Sequence, residues 1–593
     1  GAYLRRINDR EIEGMKFLGT FCYNPQAVFP IYFVMRINKA PKQTGYWKFQ
    51  RKMTGVEAEW DKDNGKYKLY TQYDRDLAGD DIGAWFTFDT EENEQIEVAV
   101  GVSFVSMENA RQNLEAEQHG AGFDKIYASA RKQWNNDLSR ITVEGGTKEQ
   151  KTVFYTALYH TLIHPNILQD VNGEYPAMET GETKTTKNNR YTVYSLWDTY
   201  RNLHQLMTLV YPERQIDMVR TMVDMYKEHG WLPKWELYGR ETLTMEGDPS
   251  LPVIVDTWMK GLRDFDMETA YEAMRKSATL PGKENLMRPD NDDYMSKGYV
   301  PLMEQFDNSV SHALEYYIAD YALYTLAKSM GKKEDADLFY KRSMRYKHYY
   351  CKEFGTLRPI LPDGKFYSPF DPLQGQNFEP SPGFHEGNSW NYTFYVPHDV
   401  KGLVAKVGTE EFNARLDSIF TQSQKKIFSG GTEVGAFAGL ETLYNHGNQP
   451  CLHISWLFNE AGRPELTQKW VRAILNEFYG TDGVHGYGYG QDEDQGQLGA
   501  WYVISSMGLF DVKGLTDIHP SFSLGAPLFD KITIHLNKEY YPGDQFVITT
   551  TGNTGSDAYV NQYLLNGKPI QGVHLPFTEI VKGGKLEVQM HTN

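Results

Sequence analysis

Two periodicities divide this chain. Over the first 110 residues apolar positions recur every second residue: Ile31, Phe33, Met35 and Ile37 form one such run, and Ile96, Val98, Val100, Val102 and Phe104 another. That spacing predicts half-buried strands, and Asp63-Asn64-Gly65 supplies turn chemistry between them. From Met107 to about Leu138 a stretch rich in Ala, Gln, Glu and Lys predicts a charged helical connector. Beyond the connector the spacing turns helical and stays so through most of the chain. Phe154, Leu158 and Leu162 make one stripe, and Val219, Met222, Val223 and Tyr226 a second. Val310, Ala313, Leu314, Tyr317, Ile318 and Tyr321 make a third, and Leu466, Trp470, Ile474 and Phe478 a fourth. From about residue 515 the strand pattern returns at Ile532, Ile534 and Leu536, and Asn566-Gly567 is a strong hairpin-turn signal.

These patterns predict a multidomain α and β chain. Its expected parts are a strand domain over 1–110, a helical linker over 111–140, a helical domain over 141–514 and a β-rich segment over 515–593. Paired helices carrying long loops (229–252, 357–398, 480–497) fit an α/α toroid. No repeat of fixed period supports an ordinary solenoid, and loops of such length inside a compact domain are usually functional.

Composition narrows the partners. Against 61 Lys and Arg stand 78 Asp and Glu, a net charge of −17, which argues against a nucleic-acid surface. Aromatic residues make up 14% of the chain, as expected of a folded protein with aromatic-lined surfaces. Cys22, Cys351 and Cys451 lie far apart with no CxxC pair, which excludes a cysteine-based zinc site and a disulfide-dense scaffold. No apolar run approaches the ~18 residues of a membrane span. The chain opens on Gly1-Ala2-Tyr3 without methionine, as a processed or trimmed product does.

Four loop segments carry more polar and aromatic residues than packing requires. In Ser195-Leu196-Trp197-Asp198-Thr199-Tyr200-Arg201, Asp198 and Arg201 could clamp adjacent hydroxyls, or form a helix cap with its ion pair. In Phe384-His385-Glu386-Gly387-Asn388-Ser389-Trp390-Asn391-Tyr392, burial of Glu386 would raise its pKa toward that of a general acid; the alternative is a carboxylate exposed on a loop. Tyr444-Asn445-His446-Gly447-Asn448-Gln449-Pro450 offers amides and an imidazole, or a capping turn. In Gly490-Gln491-Asp492-Glu493-Asp494-Gln495-Gly496 three consecutive acids could hold a hard cation or act as a base. A cap for the next helix needs only one of them. There is no GxSxG elbow, phosphate-binding loop, HExxH or dinucleotide fingerprint. Carboxylate chemistry on a sugar-like substrate therefore leads, with Glu386 and Asp494 on separate loops as an acid–base pair should be.

At these loops the chain resembles glycoside hydrolase family 92, the calcium-dependent exo-α-mannosidases. The resemblance rests on SLWDTYRNLH (195–204), GWLPKW…MEGDPS…VDTWMKG (230–261), EYYIADYALYTLAKSMGK (315–332), HEGNSWNYTFYVPHDVKGL (385–403), HGNQPCLHISWLFN (446–459), GQDEDQGQLGAWYVISSMGLFDV (490–512) and LNGKPI (565–570). It implies an N-terminal β-sandwich packed on an (α/α)6 toroid, with the pocket where the toroid's loops meet the sandwich. The implied activity is release of terminal α-linked mannose with inversion, assisted by calcium, from N-glycan or mannan-type substrates. It implies Glu386 as general acid and Asp494, with Asp492 close by, as the base. Trp197, Asp198, Arg201, Trp390, His446 and Asn448 would bind sugar, and Asn448, Gln449, Asp492 and Asp494 are the implied calcium ligands. It also implies a periplasmic, cell-surface or secreted location, and a sandwich longer than the strands present, so that residues before Gly1 are expected.

One departure matters. The family usually carries Glu where Gln449 stands, and an amide cannot give up a proton. If that slot held the acid, only good leaving groups would depart, and a phosphate, whose second pKa is about 6, needs no protonation. Hydrolysis of mannose-1-phospho-mannose diesters is therefore an alternative expectation. A catalytically weak carbohydrate-binding protein is another.

Overall fold

The computed structural model describes residues 1–20, 27–50, 66–71, 76–118, 120–303, 308–374, 382–430, 443–481, 493–513, 516–553 and 558–592. Asp492, the turn 63–65 and the glycine-rich stretch 486–491 lie outside them. By contact the chain divides into two units.

The first unit comprises 1–135, 167–192 and 236–242. Five strands form an antiparallel sheet in the order Leu77–Gly79, Ala2–Asn8, Glu11–Gly19, Val28–Ile37, Val98–Ser103. A second, three-stranded sheet has Gln43–Gln50 between Lys66–Thr71 and Ile82–Thr87. The alternation read from the sequence finds the strand Val98–Ser103 but assigns its faces the wrong way round. Val98, Val100 and Val102 are about half exposed, while Gly101 and Ser103 are buried. The reason is the helix Met107–Gln118, which lies so close that a Cβ on Gly101 would stand 2.3 Å from the carbonyl oxygen of Ala110. Only small residues fit beneath it. Segment 167–192 is fastened to this unit by buried Asp170, which accepts from Ser103 Oγ (2.7 Å), Asn109 Nδ2 (2.8 Å) and Asn113 Nδ2 (2.6 Å).

The second unit holds the helices, the C-terminal strands and the rest of the chain. Each predicted stripe is a buried face: Phe154 and Leu158 on Lys148–His160, Val219 and Met222 on Pro212–His229, Val310, Leu314 and Tyr317 on Ser309–Ser329, Trp470 and Ile474 on Pro464–Glu477. The long helix Ser309–Ser329 is apolar on nearly every side and runs through the core, as a helix without a polar face must. The C-terminal strands form a six-stranded sheet in the order Lys568–Pro569, Ala558–Leu565, Gly584–Thr592, Gln545–Thr551, Lys531–His535, Ile141–Glu144. Asn566 and Gly567, with φ of 50° and 77°, make the hairpin turn the sequence signals. The edge strand Ile141–Glu144 comes from before the first helix of this unit and pairs antiparallel with Lys531–His535.

Local signals set the helix ends. Asp266 caps Met267–Thr279: its Oδ1 accepts from Thr269 N at 3.1 Å, and its other oxygen meets Thr269 Oγ1 at 2.7 Å and Lys227 Nζ at 3.0 Å. The hydrogen bonds from Thr269, then that from Lys227, lower its pKa to about 2. Replacing Asp266 with Ala should cost about 1 kcal/mol, the usual worth of such a cap. Because the folded pKa lies below the unfolded one, this contribution is complete above about pH 4 and fades as pH falls through about 2. Denaturant titrations of the two proteins at pH 6 and pH 2.5 check both size and sign: the gap between them should narrow in acid.

Candidate active site

The residues singled out as chemical converge in the second unit. Trp197 and Asp198 sit on the short helix Leu196–Thr199, both buried. Ser195 Oγ donates to the Asp198 carboxylate. Burial, then the charges of Asp494 and Glu386, push the Asp198 carboxyl well above the usual carboxylate range. Arg201 does not form a clamp with Asp198. Its Nη2 bonds Glu315 at 3.1 Å and its Nε bonds the carbonyl of Trp197 at 2.8 Å. The guanidinium stacks at 4.7–4.8 Å from the ring centres of Trp197, Tyr200 and Tyr395. Glu315 also accepts from Tyr200 (2.8 Å) and Tyr395 (3.0 Å), so Arg201 serves chiefly to organise this wall. Only its Nη1 lacks a partner among the described residues.

Glu386 is buried on a loop fastened at three points. Ser311 Oγ accepts from the amide of His385 (2.9 Å), the Tyr392 hydroxyl donates to the carbonyl of His385 (2.6 Å), and Asn448 Nδ2 donates to the carbonyl of Glu386. Such fastening sustains a left-handed φ of 47° at Glu386, a conformation that costs a non-glycine residue of order 1 kcal/mol and is found disproportionately at functional sites. Burial, then Asp494, then Glu246 raise the Glu386 carboxyl to about 8. It is a buried acid, not the exposed loop carboxylate that was the alternative.

The run of acids divides its labour. Glu493 is the cap: one oxygen accepts from Gly499 N at 2.8 Å at the start of Gln497–Ser506, and the other meets His160 Nδ1 at 3.0 Å. Asp494, Gln495 and Gly496 then run through three consecutive left-handed conformations, with φ of 49°, 58° and 85°. Asp494 accepts from Gln449 Nε2, and Gln495 Oε1 accepts from the amide of Ser195 at 3.1 Å. Two neighbouring residues thus bridge the candidate pair, Asn448 holding the backbone of Glu386 and Gln449 the carboxylate of Asp494.

One expected sugar contact, His446, is sealed in the core. His446 is fully buried, with Nδ1 bonded to Tyr444 (2.7 Å) and Nε2 to Tyr479 (2.9 Å), and it is packed against Phe478 and Trp501. Both nitrogens are occupied, so its role is packing. Trp390 lies under the guanidinium of Arg415 at 5.8 Å. The sequence alone does not single out Glu246, Glu315 or His385 as functional, although all three fall within stretches that carry the resemblance. A helical or loop carboxylate among aromatic residues gives no one-dimensional sign that it will be buried.

The donor set can be tested for calcium. Among the described residues no three Asp, Glu, His or Cys side chains converge as ligands. The amide oxygens of Asn448 and Gln449 beside Asp494 would therefore have to contribute. Oxygen-only donors of this kind suit a hard cation. So does the charge balance, since Asp198, Glu386 and Asp494 repel one another and the arginine near them, Arg201, is paired with Glu315. The residues fit the ion.

Comparison with known proteins agrees with this geometry. The Glycosyl hydrolase family 92 catalytic domain matches residues 109–592, and the family's N-terminal domain matches residues 1–103. A family GH92 α-mannosidase from Bacteroides thetaiotaomicron superimposes with a TM-score of 0.83 at 29% identity over all of this chain and 73% of its own. Its complex with mannoimidazole gives 0.85 at 28% over 74%. A family GH92 inverting mannosidase from the same organism gives 0.83 at 29% over all of this chain and 77% of its own. An uncharacterised secreted glycosidase from Arthroderma benhamiae is 25% identical over 558 residues, 86% of this chain. The chain spans 62% of that relative's length. With both domains of the family matched along nearly its whole length, and solved members superimposing over all of it, the chain belongs to glycosyl hydrolase family 92.

Proposed function

We propose that this protein is an exo-acting α-mannosidase that releases terminal α-linked mannose from mannose-containing glycans with inversion. The observation that carries this reading is the bridged pair: buried Glu386 and half-buried Asp494, from loops over 100 residues apart, joined by the consecutive residues Asn448 and Gln449. The solved relatives named as mannosidases, one of them inverting and one holding mannoimidazole, support the substrate class.

In this mechanism Glu386, neutral at physiological pH, gives its proton to the departing glycosidic oxygen. Asp494 takes a proton from water on the opposite face of the sugar, as inversion requires of two carboxyl groups. Gln449, donating to Asp494, holds that carboxylate in place. Trp197, Asp198 and Asn448 bind and orient the sugar, and Arg201 keeps Trp197 in place. Calcium, held by oxygens of Asn448, Gln449 and Asp494, would supply a positive charge to the sugar hydroxyls and help flatten the ring. A secreted setting goes with the name of the Arthroderma relative.

The contact between Gln449 and Asp494 also favours a second reading, hydrolysis of mannosyl phosphodiesters. It puts an amide, unable to protonate a leaving group, beside the candidate base. One assay separates the two: α-mannobioses of each linkage and mannosyl phosphate diesters, with calcium or with EDTA, followed by NMR of the released anomer. The expected result is β-mannose from a mannobiose, appearing first and suppressed by EDTA. Early α-mannose would overturn inversion, and turnover of the diesters alone would replace the first reading by the second.

A further inference from the structure

Asp494 can take a proton from water only if its carboxylate is held on the correct side of the sugar, and its own backbone does not favour the place it occupies. Asp494, Gln495 and Gly496 form a left-handed turn, with φ of 49°, 58° and 85°. Such a run relaxes unless its surroundings hold it. Three sets of contacts do so. The first folds the turn over the start of the helix Gln497–Ser506. The amides of Gln497 and Leu498 donate to the carbonyls of Asp494 and Glu493, each at 3.3 Å, and the amide of Gly499 donates to Glu493 Oε1 at 2.8 Å. Amides that a helix start leaves without partners thus grip the turn.

The second set ties the turn to the end of the helix Lys148–His160. Glu493 Oε2 meets His160 Nδ1 at 3.0 Å. Glycines let the backbones close up: a Cβ on Gly496 would stand 2.7 Å from Thr161 Cα, and one on Gly499 2.6 Å from the carbonyl oxygen of Ala157. The third set reaches the segment proposed to bind sugar. Gln495 Oε1 accepts from the amide of Ser195 at 3.1 Å, and the hydroxyl of Ser195 donates to the carboxyl of Asp198.

We infer that Glu493 and Gln495 are positioning residues for Asp494, locking the turn that presents it to the sugar. The inference rests on the reading of Asp494 as the base. A cap for a helix needs one acceptor oxygen, whereas Glu493 uses its second on an imidazole at the end of another helix. Glycine or asparagine in place of Gln495 would relieve the left-handed strain, but neither has a side chain long enough to replace its Oε1 against Ser195. The two locks pull on different partners and so fix the carboxylate in two directions. Removing either leaves Asp494 chemically intact but free to drift, and a displacement of about 1 Å can cost about a hundredfold in rate.

The test uses α-mannosyl fluoride, whose leaving group departs unprotonated, so that turnover depends on the base and not on the acid. kcat and KM are measured for Glu493→Leu, Glu493→Gln, Gln495→Leu and Asp494→Ala, with and without sodium azide. Azide forms its own bond from nitrogen to C1 as the C1–F bond breaks; fluoride leaves with the bonding pair, and no proton has to be removed. Glu493→Leu and Gln495→Leu should each lower kcat by about tenfold to a hundredfold, with KM within about twofold. Glu493→Gln, which keeps an oxygen for Gly499 and offers an N–H to the other tautomer of His160, should recover most of the rate. Azide should raise both leucine variants and Asp494→Ala by at least about threefold, yielding β-mannosyl azide, and change the native rate little, because it replaces only what a base supplies. Losses that azide does not relieve, a change confined to KM, or no loss would overturn the inference. If Glu493→Leu fails to fold, Gln495→Leu decides alone, since its side chain caps no helix. If Asp494→Ala keeps native turnover, or the native chain leaves the fluoride intact, the base assignment fails and the inference falls with it. If Asp494→Ala is inactive and rescued by azide while the leucine variants are unimpaired, only the inference falls.

Discussion

Glu386→Gln lowers kcat on a mannobiose by about 10²- to 10⁴-fold, the usual worth of a general acid, and changes KM little. The substitution keeps the volume and one carbonyl oxygen but removes the only proton the residue can give. It should not unfold the loop, because the contacts that fasten the segment reach backbone atoms: the amide and carbonyl of His385 and the carbonyl of Glu386 itself. Because the buried carboxyl is already neutral below about pH 8, a neutral amide changes its charge little, and the melting temperature should hold at neutral pH. On an aryl mannoside with a good leaving group the loss should shrink below about tenfold, since departure no longer waits for a proton. Steady-state kinetics on the two substrates check this. Undiminished turnover of the mannobiose would remove Glu386 from the acid's role and return attention to the position of Gln449.

The largest stability effect is expected at Arg288, buried in the helical core without solvent exposure. Its Nε bonds Asp248 at 2.8 Å and its Nη1 bonds Asp320 at 2.9 Å, while its guanidinium lies 4.9 Å over the ring of Tyr316. Asp320 has a second partner in Arg342 at 2.8 Å, but Asp248 relies on Arg288 and on the hydroxyl of Ser277. Arg288→Met keeps the packing and leaves Asp248 as an uncompensated buried charge, which typically costs about 3–5 kcal/mol. Arg288→Lys should fall between, because one ammonium group cannot reach both carboxylates with the fork of a guanidinium. Urea unfolding followed by tryptophan fluorescence measures the difference; a loss below about 1 kcal/mol for Arg288→Met would contradict the account. Asp248 stands two residues after Glu246, so the same variant should also loosen the loop behind the acid and lower kcat.

Much of this was legible along the chain. The stripes through Phe154, Val219, Val310 and Trp470 mark buried helix faces because a helix brings residues three and four apart to one side whatever surrounds it. Asn566-Gly567 marks a hairpin because its left-handed conformations are a local property of those two residues. Glu386 and Asp494 stood out for a similar reason, as acids among glycines, amides and aromatics in loops too elaborate for connection alone. The valines at 98, 100 and 102 misled because alternation gives the period of a strand and not which face is covered. That choice was made by the helix Met107–Gln118, whose approach leaves room only for Gly101 and its small neighbours.

The sequence by itself determined the kinds of elements, their order and the acids worth watching, since each depends on residues within a turn or two of one another. Only the tertiary structure decided that Ile141–Glu144 closes a sheet made by strands some 390 residues later, that His446 is sealed among tyrosines, and that Arg201 turns to Glu315. It alone brought Glu246, His385 and Asn448 around Glu386. Those outcomes are set by burial and by charges meeting across long stretches of chain, and the energies that fix them, desolvation and Coulomb attraction, depend on distance in space and not along the sequence.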